Sequence, residues 1–372
     1  MKIVVLQIAM VFLFFGWSIP EKAVVCETNY VVEVLHPGID MVETVDKTLV
    51  RSTCSLIEPA EFYMDVESVV CGDLQCRIDI IRIYWDELGF YKRIKLPNGV
   101  ELEKAEGASF SQVDYKKMDS ILSDRNSSLK DVQKYEVTGS ETSEGVDALA
   151  GATIALDTKS YVKGAVWTCY TLWHWVNGNI TTTIRDITGE SMTLNALVND
   201  LQENSMTKKK FALEQLIRLN FHESKVTNAV LQLKFQENLK LQKLIIDYIE
   251  QLPSVDYFEA IECLLKGENE KISVLALQSL LNTSKEPSED FLNTLSKQLV
   301  SSNSFQQIDL FIRILEIKEL VSPSINKHML TILMQSDFIL ARRVYWFLSK
   351  QELSKQNKNQ LQFFYNNNSE KL

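Results

Sequence analysis

Histidine is scarce in this chain: four residues in 372, at positions 36, 174, 222 and 328, too scattered to suggest a histidine-based active site. No GxSxG, HExxH, GxGxxG or P-loop segment occurs, so hydrolase, zinc-protease and nucleotide-fold readings have no motif behind them. Basic charge is not in excess either: 39 Lys and Arg stand against 49 Asp and Glu, a net charge of −10. That argues against nucleic acid as a partner, because phosphate backbones demand a concentrated basic patch. The one basic run, Lys208-Lys209-Lys210, reads as the solvated face of a helix. No second cysteine pair or histidine pair completes a tetrahedral zinc site.

What is present fits a globular protein. The chain is 45% hydrophobic and 24% charged, and 372 residues are too many for one ordinary core, so two domains are expected. Met1-Lys2 is followed by an apolar run from Ile3 to Ile19 and a polar break at Pro20-Glu21-Lys22, the pattern of a secretory signal. Residues 1–25 are therefore expected to direct export, to the periplasm or the outer face of the cytoplasmic membrane. Cleavage near Ala23, retention as an N-terminal anchor and lipoprotein processing at Cys26 all stay open. In an oxidising compartment Cys71 and Cys76, in VVCGDLQCRI, are candidates for a local disulfide across a turn at Gly72-Asp73. Cys169 and Cys263 lie in apolar helical contexts and read as buried small hydrophobes.

Residues from about 28 to 105 are strand-like, with β-branched alternation in TNYVVEVL and IDIIRIYW and a hairpin signal at Pro97-Asn98-Gly99. Near residue 109 the period becomes helical: Tyr115, Met118 and Ile121 share a face. Ser111 with Asp114 forms a capping-box pattern, with Phe110 and Tyr115 as its hydrophobic staple. A second helix is expected from Thr158 to Val176, ended by Asn177-Gly178, with Trp167, Trp173 and Trp175 at core positions and His174 partly buried.

Between these helices lies VDALAGATIAL, Val146 to Leu156. Gly151 lets the backbone approach a ligand closely, Ala152 leaves that approach unobstructed, and Thr153 supplies a hydroxyl. A helix beginning just beyond would favour a phosphate through its N–H groups and dipole. The segment DALAGAT, Asp147 to Thr153, resembles the motif of the bacterial FMN-binding domain family, which includes the flavin-carrying subunits of sodium-pumping NADH:quinone reductases and Rnf-type complexes. The resemblance spans about residues 60 to 180. It implies FMN esterified through its phosphate to Thr153 by a flavin transferase acting outside the cytoplasm. Gly151 and Ala152 would present the acceptor, and Asp147 would be the acid at the family's spacing. Ala150 stands where the family carries Ser or Thr.

From Ile187 onward strand signals vanish and only Gly189 and Gly267 remain of thirteen glycines. Amphipathic runs such as Leu241-Leu244-Ile245-Tyr248-Ile249 succeed one another, separated at Pro253, Gly267, Pro287 and Pro323. Helices of this length with short connections suggest a HEAT-like solenoid of stacked pairs; an irregular bundle is the alternative. The expected fold is thus an α+β FMN-binding-type domain (26–186) followed by an all-α helical-repeat domain (187–372). The expected role is extracytoplasmic electron transfer, with the helical domain docking a membrane or exported redox partner, rather than turnover of a small substrate. The alternative is a non-redox exported scaffold whose flavin domain is degenerate.

Overall fold

The computed structural model describes residues 26–38, 43–53, 59–70, 77–104, 107–132, 157–267, 269–302 and 304–372. The chain divides into two compact units, one ending at Arg185 and the other beginning at Asp186.

The first unit is built on a five-stranded antiparallel sheet in the order β1-β2-β3-β4-β5: Cys26–Leu35, Thr44–Thr53, Glu61–Glu67, Ile80–Asp86 and Tyr91–Lys95. Strict alternation decides its two faces. Phe62, Met64 and Val66 of β3 and Ile81, Ile83 and Trp85 of β4 are buried on one side, where each contributes about 1.5–3 kcal/mol relative to exposure. The intervening Tyr63, Asp65, Arg82 and Tyr84 point the other way. β4 turns into β5 through an Asx-type turn, in which Asp86 Oδ1 accepts from the N–H groups of Leu88 and Phe90 at 2.9 and 2.8 Å. Gly89 takes φ +73° there, and a Cβ on it would stand 2.9 Å from the Thr181 carbonyl oxygen.

The hairpin expected at Pro97-Asn98-Gly99 is a turn without a return strand. Val100 N donates to the Pro97 carbonyl at 3.1 Å and Gly99 has φ +78°, but beyond it only an isolated bridge, Glu103 to Ser109, forms. Helix α1 (Gln112–Ser123) intervenes: its Tyr115 hydroxyl accepts from the Leu102 N–H at 2.9 Å, and the Leu102 side chain is buried. The capping box at the start of α1 forms as expected, Ser111 and Asp114 bonding reciprocally, and the Phe110 and Tyr115 rings lie 5.4 Å apart. Ser111→Ala should cost about 1 kcal/mol, read as a lowered urea midpoint at unchanged m-value. An unchanged midpoint would mean that packing alone holds this helix.

Helix α2 (Val166–Asn177) covers the inner face of the sheet. The Trp85 indole N–H donates to the Val176 carbonyl at 2.9 Å, and Thr171 Oγ1 accepts from the Val70 N–H at 3.0 Å. Trp167, Trp173 and Trp175 are all buried, as core residues. Helix α3 (Ile180–Ser191) follows; its threonine-rich sequence hid it from periodicity.

The second unit is all helical: α4 (Leu194–Gln202), α5 (Met206–Arg218), α6 (Ser224–Gln232), α7 (Leu239–Glu250), α8 (Ser254–Leu265), α9 (Glu270–Asn282), α10 (Glu289–Leu299), α11 (Phe305–Lys318), α12 (Pro323–Gln335), α13 (Phe338–Leu348) and α14 (Lys355–Asn368). Alternate helices pack on one another, giving two layers. One holds α5, α7, α9, α11 and α13, the other α4, α6, α8, α10, α12 and α14. Each helix carries an apolar stripe and a polar start; Asn238, Asn269, Ser288 and Ser322, for example, accept from first-turn N–H groups. Glycine is not needed to stop them, since Asn220 and Glu319 adopt the left-handed conformation at helix ends. Neighbouring pairs are tied by lysines reaching the C-terminal carbonyls of the preceding helix in the layer. Lys285 Nζ donates to Glu250 O at 2.8 Å and Lys318 Nζ to Thr283 O at 3.3 Å, each spanning 35 residues. The final helix runs to Asn368, where Phe364 and Tyr365 pack on Tyr345 with ring centroids 5.7 and 6.3 Å away.

Among the described residues, no helix is long and apolar enough to cross a membrane. Cys26, Cys169 and Cys263 are unpaired thiols. Cys263 is half-buried rather than enclosed, its Sγ accepting from Lys234 Nζ at 3.3 Å.

Candidate functional site

Asp147, Gly151, Ala152 and Thr153 fall within residues 133–156 and lie outside the described residues, as do Cys71, Cys76 and residues 1–25. The two arms that carry the motif segment are described. The leading arm ends in a 3-10 turn, Ser128–Asp131, with Leu129 and Val132 buried. The returning arm begins at Asp157, whose carboxylate caps a second 3-10 turn, Thr158–Ser160. Ser128 Oγ donates to Ser160 Oγ at 2.9 Å, so the arms meet at a partly buried hydrogen bond. Lys117 of α1 adds a bond to the Thr158 carbonyl at 2.9 Å.

The helix expected from Thr158 starts later. Tyr161 is extended, Gly164 takes φ +78°, and α2 begins only at Val166. The anion-favouring end of this helix is therefore thirteen positions past Thr153 rather than five. Its N-cap residue, Ala165, offers no side-chain oxygen, and the N–H groups of Val166, Trp167 and Thr168 have no partner among the described residues. Those three residues are buried, so the orphan donors are held away from bulk water. Lys159 and Lys163 lie exposed just before them with no carboxylate partner among the described residues. In a protein of net charge −10, this is a local concentration of donors and positive charge. Such an arrangement favours an anion.

Behind this end, α2 is an aromatic column. Tyr170 and His174 have ring centroids 4.4 Å apart, and Trp173 and His174 5.1 Å. Burial pushes the His174 imidazole down to about 4, and its Nε2 has no hydrogen-bond partner among the described residues. The histidine is thus neutral and incompletely satisfied. Burial pushes the Cys169 thiol up to about 12, despite the Val162 N–H donating to its Sγ at 3.2 Å, so it is inert toward nucleophilic chemistry.

The outer face of the sheet holds a second cluster. The Arg82 guanidinium lies 4.0 Å from the Tyr63 ring centroid and pairs with Asp65; that of Arg93 lies 3.8 Å from the Tyr84 ring and pairs with Glu61. The Arg93 hydrogen bond holds the Glu61 carboxyl down at about 2. Tyr63 donates to Glu27 at 3.1 Å. The signal for this face was present in EFYMDVE and IIRIYWD, where charged and tyrosine side chains alternate with apolar ones, but which strands pair is not a local property. Among the described residues no group of His, Cys, Asp and Glu is arranged to hold a metal.

Comparison of the chain with models of protein families, with characterised proteins and with solved structures gave no match.

Proposed function

We propose that the protein is an extracytoplasmic electron carrier with FMN attached through its phosphate to Thr153. The observation that carries this reading is the uncapped start of α2, where the N–H groups of Val166, Trp167 and Thr168 and the side chains of Lys159 and Lys163 offer an anion unspent donors on the arm leading from the motif. Asp147, Gly151 and Ala152 complete the acceptor segment by their resemblance to the flavin-carrying family. When bound, the isoalloxazine ring supplies the redox chemistry, and the protein contributes attachment, orientation and electrostatics. An ester-linked carrier is not lost by dissociation, which suits a compartment without a flavin pool. The second unit is proposed to act as a HEAT-like array that docks a membrane or exported redox partner. Its support is the alternate-helix packing, with α7, α9, α11 and α13 starting at residues 239, 270, 305 and 338.

Co-expression with a flavin transferase tests the attachment. Denaturing gels under ultraviolet light should show a fluorescent band for the wild type and none for Thr153→Val, which removes the hydroxyl at nearly constant volume. A wild-type protein that stays dark beside a transferase active on a control substrate selects the scaffold reading, which Ala150 already favours.

A further inference from the structure

Among the described residues, β1, an outer strand of the sheet, has one edge that pairs with nothing along most of its length. β1 runs ten residues, Cys26 to Leu35, and among the described residues pairs with β2 alone. The side chain of Asn179 identifies which backbone groups face outward. Its Oδ1 accepts from the Leu35 N–H at 3.0 Å, and its Nδ2 donates to the Glu33 carbonyl at 3.1 Å, as a neighbouring strand would. Odd-numbered residues therefore direct their N–H and C=O groups away from β2. Asn179 closes that edge at one end, and the outward groups of Glu27, Asn29 and Val31 are left unpaired among the described residues.

Unpaired strand edges are normally blunted by lysine, proline or a bulge. β1 has none of these: it holds two glutamates and no basic residue, and its register with β2 is unbroken. Val31, at the end of the open stretch nearest Asn179, is 78% exposed. The side chains beside this edge have a consistent chemistry. Glu27 and Asn29 border a cavity of about 510 Å³ on the outer face of the sheet, together with Asp46, Thr48 and Asp65. The cations lining it, Lys47 and Arg82, are already engaged by Glu67 and Asp65. Asn29 and Asp46 have no side-chain partner among the described residues; the Asn29 amide can both donate and accept, and the uncommitted charge lining the cavity is the Asp46 carboxylate.

We propose that the β1 edge is a docking site for an extended, basic polypeptide segment of a partner protein. The partner strand pairs with the backbone of Glu27, Asn29 and Val31, and alternate Lys or Arg side chains reach Glu27 and Asp46 across the outer face. A second copy of β1 is a poorer occupant. Antiparallel self-pairing would bring glutamate-bearing strands together with no cation between them, and like charges on paired strands are destabilising.

The test uses the full chain and a fluorescein-labelled octapeptide of alternating lysine and valine, followed by fluorescence anisotropy. Saturable binding is expected, at least tenfold tighter than that of the matching glutamate–valine peptide. Val31→Pro should weaken binding at least tenfold while leaving the far-ultraviolet circular dichroism unchanged, because the lost N–H faces outward and makes no bond within the sheet. An independent arm needs no variant: the same peptide N-methylated at alternate residues keeps its charge and loses strand pairing, and it should bind at least tenfold more weakly to the wild type. Glu27→Lys with Asp46→Lys should invert the preference between the two peptides. Equal binding of the methylated and unmethylated peptides would overturn the proposal in favour of diffuse charge attraction. So would the absence of binding, or a Val31-dependent dimer of the protein alone.

Discussion

Replacing Trp85 by alanine is expected to lower the unfolding free energy of the first unit by about 3–5 kcal/mol, a large fraction of the 5–15 kcal/mol typical of a domain. Trp85 is fully buried on β4, opposite Phe62 on β3 and Tyr91 on β5, where the β4–β5 register shifts. Two losses combine. The cavity left by the indole cannot be refilled by Ile83 or Ile81, which are themselves fully enclosed. The Val176 carbonyl, in the last turn of α2 with no further residue of that helix to bond, loses the indole N–H that satisfies it. Trp85→Phe separates the two. It keeps most of the ring volume, so the residual cost of about 1–3 kcal/mol reports the orphaned carbonyl. Hydrogen exchange on amides of residues 26–132 and 157–185 is the measurement. A Trp85→Ala protein with wild-type protection there would show that α2 and the sheet are not one cooperative unit.

Acidification from pH 6.5 to 4 is expected to remove on the order of 3 kcal/mol of stability, at about 1.4 kcal/mol per unit for a single titrating group. His174 is that group. Burial against Tyr170 and Trp173 pushes its imidazole down to about 4, whereas the unfolded chain takes up the proton near 6.5. Between these values the unfolded state binds more protons, so stability falls as pH falls, and the loss levels off below about 4. Glu61 acts in a different window. Its carboxyl is held at about 2 by the Arg93 hydrogen bond, so its contribution is complete above about 4.5 and disappears as pH falls toward 2. That share is small because the pair is well exposed. His174→Phe should flatten the pH dependence between 6.5 and 4 while leaving the lower window in place. The readout is the slope of unfolding free energy against pH rather than its absolute value, since the substitution also removes the imidazole's interaction with the Leu129 carbonyl. An unchanged slope would assign the acid sensitivity to another group.

Local features were legible from the residues alone because their causes lie within a few positions of one another. The box of Ser111 and Asp114 joins groups three residues apart and forms as read. Pro323 sits at a helix start, where its missing N–H costs nothing. The helical stripe of residues 241–249 buries Leu241, Ile245, Tyr248 and Ile249 as its spacing selects, leaving Leu244 half-buried. The change from strands to helices was visible as a change of period. The motif from Asp147 to Thr153 is likewise a sequence feature, and the chemistry proposed for it rests on residue types.

Tertiary structure decided what depends on distant partners. Gly164 looks internal to one long apolar helix in the sequence, but at φ +78° it separates a 3-10 turn tied to Lys117 and Ser128 from a helix starting at Val166. No residue between 158 and 166 signals those ties, because both partners lie more than thirty positions away. The turn at Pro97 was plain, whereas its failure to become a hairpin follows from the Tyr115 hydroxyl taking the Leu102 N–H. The layering of the helices, the two arginine–tyrosine stacks and the role of Asn179 at the β1 edge share that origin. Asn179 is 144 residues from the strand it caps, and a side chain's free energy at such a site is set by where folding puts its partner, which periodicity and propensity do not encode.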